Sequence, residues 1–137
     1  SVMSNIVPGF MTQLVSAVNQ GDLDDARRLQ DMLKPLLDLV VVTTTEETPF
    51  GPVVCRARNP LPLKTIMRLL GMPSGPCRQP LGKMTRQGLD RIVTTLQQLH
   101  SDHPELFAPI SNVFGIDIHD RLHNPVHQKN LWYGYAV

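Results

Sequence analysis

His119, His123 and His127 recur at four-residue steps, with Asp117 and Asp120 beside them. On one continuous helix the three imidazoles would share a face, and such a cluster has the residue types of a zinc site. Asn124-Pro125 argues against that helix, because the residue before a proline avoids the α region. His119 and His123 remain as the pair that one helix can align. Ordinary surface histidines are the plainer reading, and no metal ligand is assigned. Lys64 has the type of a Schiff-base nucleophile, which needs burial or a neighbouring cation to release its proton. It stands in the first turn of a predicted helix, so no catalytic role is assigned to it. Glu46-Glu47 resembles a carboxylate pair for acid–base work, but the setting reads as a solvated acidic loop. Cys55 and Cys77 lack C-x-x-C spacing and read as free thiols in a reducing cytosol.

The elements that carry these residues are mostly helical. Asn5 is a helix N-cap candidate, Pro8 is tolerated in the first turn, and Val7, Phe10, Met11, Leu14, Val15 and Val18 form an apolar stripe. Asn19-Gln20-Gly21 ends that helix and Asp22 caps the next. There Leu23, Ala26, Leu29, Leu33, Leu36, Leu37 and Val40 continue the pattern across Pro35, where a kink and not a break is expected. Residues 43–57, with β-branched Val41 to Thr45 before Pro49, Gly51 and Pro52, read as a loop with at most a short extended piece. Pro60 and Pro62 hold an extended approach to a short helix bearing Leu63, Ile66, Met67 and Leu70, stopped by Gly71. Arg78 to Leu81 reads as extended. A helix from Thr85 to His100 then places Leu89, Ile92, Val93, Leu96 and Leu99 on one side, expected to lie against the Leu63–Leu70 helix. Beyond it, His103 to Pro109 holds one helical turn, Asn112 to Gly115 signals another turn, and Trp132, Tyr133 and Tyr135 gather near the end, as aromatics that anchor a terminus do.

Charged residues are 18% of the chain and the formal net charge is +1, which argues against a nucleic-acid binder and favours association with other protein. No apolar run reaches the length of a membrane span.

Taken in order, Ser1-Val2-Met3-Ser4-Asn5, the Arg58-Asn59-Pro60-Leu61-Pro62-Leu63-Lys64 entry with its helix to Gly71, Arg78-Gln79-Pro80-Leu81 and the helix after Thr85 resemble the C-terminal part of the dihydrodipicolinate synthase and N-acetylneuraminate lyase family. The resemblance covers roughly the first hundred residues. It implies a mainly α piece of a TIM-barrel, pyruvate-dependent class I aldolase. Residues 1–20 would be the end of the eighth strand and the helix after it, 21–100 a helical tail with a loop insertion near 43–57, and 101–137 an irregular aromatic extension. The family's Schiff-base lysine and catalytic tyrosine would lie on earlier strands, so the chain is expected to be a fragment with no catalytic, substrate-binding, cofactor or metal residue of its own. Val7, Phe10, Met11 and Leu14 would lean on the remainder of the barrel or another subunit, in a cytoplasmic homo-oligomer without nucleic-acid or membrane partners. A stand-alone helical protein–protein interaction module and a small metal-binding domain using the terminal histidines are the alternatives.

Overall fold

The computed structural model describes residues 2–133. The first of them form a 3-10 turn, Val2–Asn5, where a strand remnant was expected. Met3 accepts from the amides of both Ile6 and Val7 at 3.0 Å, and burial of Met3, Ile6 and Val7 holds this tight turn against the core. Asn5 does not cap the helix that follows. Its Nδ2 donates to Val2 O, and α1 (Pro8–Asn19) starts instead at Val7, with Pro8 where no donor is needed. The apolar stripe of α1 is covered unevenly. Val7 and Ala17 are buried, Phe10, Met11 and Leu14 are half-buried against the core, and Val15 and Val18 are 56% and 54% exposed.

α2 (Leu23–Leu37) opens as expected, with the Asp22 carboxylate accepting from Asp25 N at 3.1 Å. It packs on α1 and α4, burying Ala26, Leu29, Met32, Leu33 and Leu36. The helix continues past the exposed Pro35 and only then tightens into a 3-10 turn, Asp38–Val40.

The segment expected as a loop is an antiparallel hairpin, β1 (Val42–Thr48) and β2 (Gly51–Ala57), with Val42 opposite Ala57 and Thr48 opposite Gly51. Its β-branched run suits a pleated strand better than an irregular loop. The Thr48 hydroxyl donates to Gly51 O at 2.7 Å and accepts from Phe50 N at 3.2 Å, closing the turn, and Gly51 takes φ +102°. The outer edge of β1 is covered by side chains: Arg91 donates to Thr43 O and Gln87 to Thr45 O.

α3 (Leu61–Leu69) begins directly at Pro60, with Pro62 in its first turn, so the prolines start the helix where an extended approach was expected. Gly71 then turns at φ +77°. Arg78–Leu81, expected to be extended, is a turn closed by Leu81 N donating to Arg78 O, with the Gln79-Pro80 bond in cis. α4 (Arg86–Asp102) is capped by Thr85, whose hydroxyl accepts from Gly88 N, and buries the predicted Leu89, Ile92, Val93, Leu96 and Leu99. Its main backbone neighbours are α2, β1 and the elements after it, while α3 lies chiefly against the Asp38–Val40 turn. The apolar faces of α3 and α4 are both buried in one shared core.

The described residues from 104 to 133, expected to be irregular, hold regular elements. They form α5 (Ala108–Phe114), α6 (Ile118–His123) and 3-10 turns at Pro104–Leu106 and Pro125–Gln128. Leu106, Phe107, Ile110, Ile118, Leu122 and Leu131 join the core. Leu131, Trp132 and Tyr133 dock on the same fold: Met84 N donates to Leu131 O, Tyr133 N donates to Met84 O, and the Arg86 guanidinium lies 5.1 Å over the Trp132 ring. Tyr135 lies outside the described residues. Among the described residues the fold is mainly α with one two-stranded sheet, and no helix is long and apolar enough to cross a membrane.

Candidate functional site

The chemistry-bearing side chains of the last forty or so residues collect on the short helix α6 and the elements it touches. Its length is set at both ends. Asp117 accepts from Asp120 N, and Asn124 accepts from Val126 N across the proline that stops the helix, the boundary expected at Asn124-Pro125. One face of α6 sends Arg121 to the C-terminal end of α3. Its Nε donates to Leu69 O at 2.8 Å and its Nη2 donates to Arg68 O, which also accepts from Gly71 N, so the guanidinium adds donors to the carbonyls of the last turn of α3. The remaining nitrogen, Nη1, lies 2.8 Å from His127 Nδ1, and His127 Nε2 lies 2.7 Å from Asp120 Oδ2. A guanidinium can only donate, so Nδ1 accepts and the His127 proton resides on Nε2, which donates to Asp120. That bond, followed by one from Asn124, holds the Asp120 carboxyl below its ordinary range. Burial lowers the Arg121 pKa, opposed by the Asp120 charge. The result is a relay of Asp120, His127 and Arg121 that ties α6 to α3.

The other face of α6 carries the pair the sequence aligned. The rings of His119 and His123 stack at 4.1 Å with planes 18° apart, and His123 Nδ1 lies 2.9 Å from His119 O. Beside them opens a cleft of about 620 Å³ lined by His100, Phe107, Asn112, Asp117, Ile118 and His119. His100, whose ring meets Phe107 edge-on at 5.4 Å, joins His119 at this cleft from α4. Burial lowers its pKa most, with further lowering from His119 and His123 and an opposing effect of Asp117. Only the pair at four-residue spacing left a sequence signal; His100 comes from another helix.

The remaining candidates are dispersed. Lys64 Nζ donates to Pro76 O at 3.1 Å and borders a void of about 20 Å³, room for about one water and too little for a keto acid. Glu46 and Glu47 lie on opposite faces of β1 and not in a loop. Glu46 accepts from Thr44 and from Gln87 of α4, while Glu47 is exposed. Cys55 and Cys77 are free thiols, both half-buried.

The sequence profile of the dihydrodipicolinate synthetase family matches residues 1–99. The chain belongs to that family. It is 34% identical over 99 residues to a 4-hydroxy-tetrahydrodipicolinate synthase of Methanococcus maripaludis (strain C7), an alignment covering 72% of this chain and 29% of the relative. A 4-hydroxy-tetrahydrodipicolinate synthase of Thermoanaerobacter sp. (strain X514) is 32% identical over 98 residues, covering 72% of this chain and 28% of its own. The chain thus spans under a third of the length of these relatives. No solved structure gives a significant match. The dihydrodipicolinate synthetase match holds α1 to α3, the hairpin and most of α4. His100, Arg121 and the His119–His123 pair all lie past its end.

Proposed function

We propose that this chain is the C-terminal portion of a 4-hydroxy-tetrahydrodipicolinate synthase-like lyase or synthase that condenses or releases pyruvate through a Schiff base. In this reading the catalytic lysine and tyrosine come from barrel strands outside the chain. The chain itself supplies the outer helix α1, the helical tail and subunit contacts within a homo-oligomer. The observation that carries the reading is α1: its sequence lies within the family match, yet Val15 and Val18 are more than half exposed and Phe10, Met11 and Leu14 only half-covered. Covering a large apolar side chain contributes about 1.5–3 kcal/mol, so this stripe favours contact with further protein.

Pyruvate with borohydride tests the reading, because a lysine imine loses water on forming and hydride then fixes the new C–N bond. The 137-residue chain is expected to gain no adduct, whereas its natural gene product is expected to be labelled on an upstream lysine. An adduct on Lys64 would contradict the assignment. The stand-alone interaction module draws support from one observation: residues from Met3 to Leu131 share one buried core. It expects the natural gene product to be unlabelled as well.

A further inference from the structure

His123 and His119 stand one helical turn apart on α6, both exposed, with rings face to face. The His119 carbonyl can only accept, so the 2.9 Å contact places the His123 proton on Nδ1 and leaves the Nε2 lone pair free. A ring N–H held by a backbone carbonyl is the support that metal-bound histidines commonly have. The nitrogens of His119 bond no protein group among the described residues. His127, by contrast, has both nitrogens committed, to Arg121 and Asp120. Of the three histidines spaced along this segment, these two alone keep a lone pair for an outside ligand.

We propose that His119 and His123 form a two-imidazole site for a divalent transition-metal ion such as zinc, nickel or copper. Imidazole nitrogen favours these ions over magnesium or calcium, which take oxygen ligands. The His119 side chain can turn while His123 keeps its Nδ1–H bond, which allows the stacked rings to open and bring one nitrogen each to about 2.0–2.1 Å from a shared ion. Among the described residues no third His, Cys, Asp or Glu converges with them, so water completes the coordination and the ion exchanges readily. Binding fastens the two ends of a six-residue helix together. The site lies outside the family match and is independent of the barrel reading.

Zinc chloride titrated calorimetrically into the full chain, and into His119→Ala, His123→Ala and His103→Ala, tests the site. The expected result is one equivalent bound by the parent and by His103→Ala, with affinity at least about tenfold weaker in each α6 variant. Imidazole NMR signals of the parent chain, which need no variant to fold, should shift for His119 and His123 on adding zinc. No binding, or zinc held equally well by both α6 variants as an ion bound elsewhere, would overturn the proposal. So would imidazole shifts confined to other histidines.

Discussion

Arg121 shows how a single charged side chain connects segments that sequence reading keeps apart. Its partners on α3 are 52 and 53 residues away, so nothing local marks it as more than a solvated charge. The Asp120 bond to His127 gives this connection a pH dependence with a definite sign. A carboxyl held below its unfolded value adds stability while ionised; that contribution is complete above the unfolded pKa of about 3.9 and is lost as pH falls through the lower folded value. Asp120→Asn should therefore lower the thermal midpoint at pH 7, with the difference shrinking below about pH 4. An equal difference at both ends of a pH series would remove the charge from the account. Residue roles that act within three or four positions are legible in the sequence, as with the cap at Asp22. Asn5 misled because its amide turns back to Val2, and Pro8 starts α1 without a side-chain cap.

At the scale of elements, long periodic runs translated into helices: α1, α2, α3 and α4 all stand where the apolar spacing put them. Shorter elements did not. α5 and α6 are seven and six residues long, too short for periodicity to show, and their prolines suggested irregularity where they sit at helix starts and ends. The hairpin is hidden in the sequence because Pro49, Gly51 and Pro52 are loop signals, while a turn and an edge strand accommodate them. Gly71 is the junction where a predicted signal and an unforeseen contact meet. It takes φ +77°, and a Cβ there would lie 3.3 Å from Ile116 and 3.2 Å from Arg121 Nε. Gly71→Ala should lose about 1–2 kcal/mol for the left-handed backbone, with crowding against the tail adding to it. Gly21, at φ +74° with nothing within 4 Å, isolates the backbone part. Urea midpoints of the two alanine variants should rank Gly71→Ala as the less stable.

Over the whole molecule, the family-matched part and the residues after it share one core. Leu33, Leu36, Ile66 and Leu69 are buried with Phe107, Ile110, Leu122 and Leu131 in a single cluster. The resemblance located the first part correctly but could not show that later residues complete it, since those contacts join distant positions of modest individual signal. What this core leaves unfinished is the outer stripe of α1. A cysteine introduced as Val15→Cys, with Cys55 and Cys77 replaced by serine, reports on that stripe through its rate of alkylation. Rapid labelling is expected in the 137-residue chain, where Val15 is 56% exposed, and strong protection in the longer protein proposed above, in which a barrel would cover α1. Equally rapid labelling in both would show that nothing covers α1, and would contradict the reading of this chain as the closing portion of a larger enzyme.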